Sequence, residues 1–172
     1  MASYYYLISS LPMLKSDGSI PMDFKTFLEM CKANVSAATY KSLCNLSSST
    51  NHPMLKSWSK FYNSLMTELN YQRNLKLGKP CLVPSDREAD VVNSIAAALA
   101  AKNPLVSEQM LLDLQFKKID SMLGLHSFDD YYLYGYAIKL KLLERQTIFK
   151  QDEGKKEFSS LFNGVKNQIL SM

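Results

Sequence analysis

Two histidines, three cysteines, two adjacent aspartates and a run of tyrosines are the residues with which this chain could do chemistry. His52 lies at the end of a Ser-rich stretch and His126 beside a glycine turn. Neither has a His or Glu at the spacing that sets two metal ligands on one helix face, so a solvated or capping role fits them better. Cys31, Cys44 and Cys81 are odd in number and lack metal spacing, which favours small apolar or half-buried thiols in a reducing compartment. A Cys–His nucleophile pair would need a local motif that is absent. Asp129 and Asp130 point about 100° apart on a helix, which suits an N-terminal dipole complement better than a shared acid–base site. The six glycines stand apart and form no phosphate cradle. Tyr131, Tyr132, Tyr134 and Tyr136 could stack bases, but their helical spacing reads as core plus interface. No catalytic residue, metal site or cofactor is expected.

The elements that would carry these groups read as helices. Tyr4–Leu14 is a short aromatic segment, either a strand or the first turns of a helix, followed by a turn at Ser16-Asp17-Gly18-Ser19. Pro21 suits the first position of a helix with Phe24, Phe27, Leu28 and Cys31 on its apolar stripe. Ser36–Leu46 is a second short helix with Tyr40 and Leu43 inward. Residues 47–53 read as a connector. Leu55, Trp58, Tyr62, Leu65 and Leu69 repeat at steps of three and four, which only a helix places on one face, and Gly78 should stop it. Ser85-x-x-Glu88 has the form of a capping box, opening a helix with Val92, Ile95 and Leu99 inward that ends near Asn103-Pro104. Leu112, Phe116, Ile119 and Leu123 line the next helix, closed by Gly124. Ser127 can cap a long helix over the tyrosine run, Gly154 breaks the chain, and Phe158, Leu161, Phe162, Val165 and Ile169 form a last amphipathic helix.

Strand signals are nearly absent, so the expected class is all-α, an antiparallel helical bundle or stack of helical hairpins in one domain over residues 1–172. That length can bury a real core. The net charge of +4 is mild, with the basic excess in the first half. Lysines scattered among Ser, Tyr and Met do not form a nucleic-acid stripe, although a small helical nucleic-acid binder stays open as an alternative. The N-terminus lacks the basic region of a secretory signal, and no apolar run approaches the roughly 18 to 20 residues that span a bilayer. A soluble protein is expected.

One charge interrupts the longest stripe. Glu144 follows Leu133, Tyr136, Ala137, Leu140 and Leu143 on the same face, where a bare carboxylate is costly to bury. It requires a partner, either Lys141 on its own helix or a basic residue on a neighbour, unless it sits at the rim. Such a pair would orient helices and would not catalyse.

Tyr134-x-x-x-Ile138-Lys139-Leu140-x-x-x-Glu144-Arg145, with Gly154 and Phe158 beyond, resembles the closing repeat of the C-subunit family of V/A-type rotary ATPases. Tyr4-Tyr5-Tyr6-Leu7-Ile8-Ser9-Ser10-Leu11-Pro12 resembles the start of a bacterial variant in that family. Phe27-Leu28-Glu29-Met30-Cys31, with Tyr40 and Leu43, fits the same variant, and 86–123 resembles the hairpin before the closing helices. The resemblance implies a non-catalytic, all-helical adaptor that seats the central shaft on the membrane rotor ring. It implies a place in the cytoplasm, peripheral to the inner face of the membrane, with Tyr134, Lys139, Glu144 and Arg145 as structural or partner contacts. Its partners would be the central-shaft subunits and the rotor ring, touching the membrane only through them. Full-length members carry three related helical repeats, about twice what this chain has room for, so a closed funnel is not implied. The alternative within the same fold class is a generic helical protein-interaction module.

Overall fold

In the computed structural model, residues 4–46, 52–147 and 151–170 are described, and they form helices with no strand. In chain order these are α1 (Tyr5–Ser10), α2 (Phe24–Lys32), α3 (Ala37–Asn45), α4 (Pro53–Lys76), α5 (Ala89–Ala100), α6 (Pro104–Leu123), α7 (Asp130–Thr147) and α8 (Gln151–Leu170). The all-α class is therefore observed, and the aromatic opening segment is a short helix. No helix is long and apolar enough to cross a membrane, as judged on the described residues.

The ends of the helices follow from local chemistry, with instructive exceptions. Asn103 Oδ1 accepts the Leu105 N–H at 3.0 Å, so Pro104 loses nothing by lacking its own donor. Ser36 Oγ accepts the Thr39 N–H at 3.1 Å and opens α3 as its type suggests. At the end of α4, Gly78 has φ +65°; its N–H reaches the Leu75 carbonyl and the Lys79 N–H reaches Asn74, both at 3.0 Å. Those two bonds are a Schellman closure, which needs a residue tolerant of the left-handed region.

Four boundaries differ from expectation. Pro21 does not open α2; Asp23 does, accepting the Thr26 N–H at 3.1 Å. The Ser85–Glu88 capping box is not formed: Glu88 precedes α5 without a side-chain cap, because its carboxylate is drawn to Lys118 on α6 at 2.6 Å. Ser127 does not cap α7, for its hydroxyl donates to the Leu125 carbonyl, and Asp129 Oδ1 accepts the Tyr132 N–H at 3.2 Å. Gly154 does not break the chain; it lies inside α8. Of the expected 47–53 connector, residues 47–51 lie outside the described residues, and Pro53 already begins α4.

Two apolar clusters hold the chain together. The larger joins α1, α2, α3, the first turn of α4, α6 and α7 around Phe27, Leu43, Leu55, Ile119, Leu133, Leu140 and Leu143. The smaller joins the middle of α4 to α5 through Phe61, Leu65, Leu69, Val91 and Ile95. Trp58 and Met122 border both. The α4 stripe runs through both clusters, although Trp58 and Tyr62 are only half-buried on it.

Glu68 is a second carboxylate on an inward stripe, 2% exposed between Leu65 and Leu69. Arg87 meets it with Nε and an Nη, both at 2.8 Å, and Gln72 donates at 2.7 Å. The Arg87 guanidinium holds the Glu68 carboxyl below its ordinary value despite burial. This forked pair ties the 77–88 segment to α4.

Candidate functional site

α7 is the helix that carries the candidate residues, and it is buried on nearly every side: Leu133, Tyr134, Tyr136, Ala137, Ile138, Leu140 and Leu143 are all in the core. A helix apolar on most of its circumference belongs in a core, and neighbours must meet its polar groups. The structure does not gather Tyr134, Lys139, Glu144 and Arg145 into one site. It spreads them over three junctions.

Glu144, half-buried, extends Oε1 to accept the Phe24 N–H at 2.6 Å. The partners that its position demanded therefore include the opening backbone amide of α2. Asp23 and Glu144 between them satisfy two of the donors that the start of α2 leaves unpaired. Lys141 lies over the Phe24 ring at 4.4 Å, which adds a cation–π contact at the same junction. Arg145 faces Glu108 of α6 at 3.6 Å across an exposed surface.

Lys139 also faces α6, nearer the start of α7 than Arg145. Its ammonium reaches Asp120 Oδ1 at 2.5 Å and lies 5.2 Å from the Phe116 ring centroid. Its side chain is 13% exposed, while that of Asp120 is 60% exposed. These two residues line an open groove of about 670 Å³ between α6, α7 and the 11–17 segment. Leu14, Phe116, Tyr132 and Tyr136 supply its apolar wall, and Lys15, Asp17, Asp113 and Lys117 supply charges of both signs. Tyr136 donates its hydroxyl to the Pro12 carbonyl at 2.9 Å and so anchors the 11–17 wall. Burial pushes the Tyr136 hydroxyl up to about 12, with Tyr132 adding to the effect, so it remains a donor at neutral pH. Burial, followed by the charge of Asp120, raises Tyr132 as well.

Tyr134 belongs to a third junction, at the start of α7. His52 lies 4.3 Å from the Tyr134 ring and 4.8 Å from Tyr131, while His126 stacks flat on Tyr131 at 4.0 Å. The His126 Nδ1 also contacts Asp129 Oδ2. Both histidines of the chain thus meet around one tyrosine. Nothing in the sequence announced this, because their proximity depends on α4 crossing α7. Asp120 and Glu108 were likewise invisible as partners. Glu68 was legible by the same reasoning as Glu144, as a carboxylate on an apolar stripe.

These groups can bind and orient. Cys31 is fully buried and burial raises its thiol to about 12, so it carries little thiolate at neutral pH. Among the described residues no group of three or more His, Cys, Asp or Glu is arranged to hold a metal ion. No family model, curated protein or solved structure matches the chain.

Proposed function

We propose that this chain is a non-catalytic helical adaptor of a V/A-type rotary ATPase, joining the central shaft to the membrane rotor ring during proton or sodium transport. In this reading it works in the cytoplasm, peripheral to the inner face of the membrane, and needs no cofactor.

The observation that carries the reading is the Glu144–Phe24 bond. It joins two of the stretches whose residues resemble the C-subunit family of rotary ATPases, the α7 helix and the Phe27–Cys31 helix. A third such stretch packs into the larger cluster through Tyr4, Leu7 and Ile8, and its Tyr4 N–H donates to the Phe128 carbonyl just before α7 at 2.9 Å. An adaptor that bears torque needs helices locked at their ends, and polar groups used as inter-helix ties meet that need. The groove and the exposed aromatic residues Tyr5, Tyr6 and Phe128 offer surface of the mixed apolar and polar kind that partners bury.

Reconstitution tests this directly. Purified chain should bind central-shaft subunits or the detergent-solubilised rotor ring, and should restore shaft-to-ring binding in a complex assembled without it. Binding to neither would remove the ATPase reading. The second reading, a helical interaction module with no ATPase link, is favoured by the exposed Phe158, Leu161, Phe162 and Ile169 of α8. It would gain if the chain captured another helical protein while ignoring both ATPase parts.

A further inference from the structure

His52 holds the first turn of α4 in a way that only a neutral imidazole can. Its Nδ1 accepts the Met54 N–H at 3.3 Å, the bond by which the residue caps the helix. An imidazole nitrogen that accepts a backbone N–H carries no proton, so the proton of the neutral ring is on Nε2. Adding a second proton turns Nδ1 into a donor and ends the cap. Across the same junction, Asp130 Oδ1 is buried without a hydrogen-bond partner among the described residues. A buried carboxylate oxygen left in that state is costly, and an imidazolium is the group that would relieve it.

We propose that His52 is a proton-operated switch at the start of α4, capping the helix through Nδ1 when neutral and turning its charge toward Asp130 when protonated. The charged and titratable groups around it are Asp129 and His126 from the α6–α7 turn, Asp130, Tyr131 and Tyr134 from α7, and Tyr4, whose hydroxyl interacts with Thr39 and Asp130. The two aspartates favour the imidazolium, whereas burial and His126 oppose it. Burial is the largest influence and holds His52 below its ordinary value of 6.5. The cap is therefore intact at neutral pH and is released as the pH falls below that range. Release matters beyond one turn: Met54 and Leu55 anchor α4 in the larger cluster, and Phe61, Leu65 and Leu69 anchor it in the smaller. A loosened first turn would weaken the joint between them.

Trp58, the single tryptophan, lies one turn along α4 and reports on this joint. On lowering the pH from about 7.5 to 5.5, its emission should shift with a midpoint below 6.5, and Met54 amide exchange, corrected for intrinsic rates, should accelerate about fivefold. His52→Asn keeps a capping acceptor that takes no proton, so both changes should vanish. His126→Asn should retain them, and Asp130→Asn should move the midpoint lower. An unchanged transition in His52→Asn would overturn the proposal. So would an NMR titration of wild-type His52 during which Met54 exchange stays constant, a test that requires no variant.

Discussion

α7 and α8 are alike in length, 18 and 20 residues, and each carries an apolar stripe, yet the fold uses them in opposite ways. α7 is enclosed by α2, α3, α4 and α6, and its buried residues form much of the larger cluster. The side chains described in α8 are exposed, with Phe158 and Phe162 stacked on each other at 6.2 Å. Two glycines, Gly154 and Gly164, lie inside α8, and each weakens a helix by about 1 kcal/mol relative to alanine. Periodicity reports which face of a helix is apolar. It does not report what covers that face.

Truncation should give the sharpest contrast between the two helices. Leu140 is completely buried, so Leu140→Ala should destabilise the chain by about 3 kcal/mol in urea unfolding. Phe162 is 60% exposed, and Phe162→Ala should stay within about 0.5 kcal/mol. Similar losses in both variants would mean that α8 packs in solution as α7 does, and the contrast would fail.

The Glu144 junction comes next in size. Glu144→Ala removes a charged acceptor from the start of α2 and should lower stability by about 1.5 kcal/mol. A wild-type unfolding midpoint in this variant would show that the carboxylate is dispensable, and the adaptor reading would lose its main support.

The glycines predict opposite signs. A Cβ on Gly135 would come within 2.8 Å of a Leu123 methyl carbon and 3.1 Å of its Cγ, so Gly135→Ala should cost about 1 kcal/mol after its gain in helix propensity. Nothing lies within 4 Å of a Cβ on Gly154. Gly154→Ala should therefore raise the helical circular dichroism signal without lowering stability.

The smallest effect concerns acid. Because Arg87 lowers the Glu68 carboxyl in the folded chain, this pair adds stability above the ordinary value of 4.5, and that stability is lost as the pH falls through the lowered folded value. Urea midpoints between about pH 5 and 3 should drop more steeply for wild type than for Glu68→Gln. Equal slopes would mean that the buried carboxylate of α4 is not held by its partner.

The groups gathered at the three α7 junctions were only partly legible beforehand. Glu144 could be flagged because a carboxylate on an apolar stripe must find a donor, but its donors include a backbone amide, which every residue except proline possesses. Lys139 carried no comparable signal, since its value lies in Asp120 on another helix. The expected caps at Ser85 and Ser127 failed for a related reason. A side chain able to cap locally can be outcompeted: Glu88 is drawn to Lys118, and Asp129 takes the position that Ser127 could have filled.

What the sequence determined by itself is the helical class, the inward faces of α2, α4, α6 and α7, and the stops at Gly78 and Gly124. Each of these depends on residues within one or two turns, where the 3.6-residue repeat and backbone sterics act directly. Only the tertiary structure decided that Glu144 meets the start of α2, that Lys139 and Asp120 line one groove, and that His52 and His126 meet around Tyr131. Those arrangements depend on which helices cross and at what height. That is set by the packing of whole apolar faces and leaves no mark at any single position.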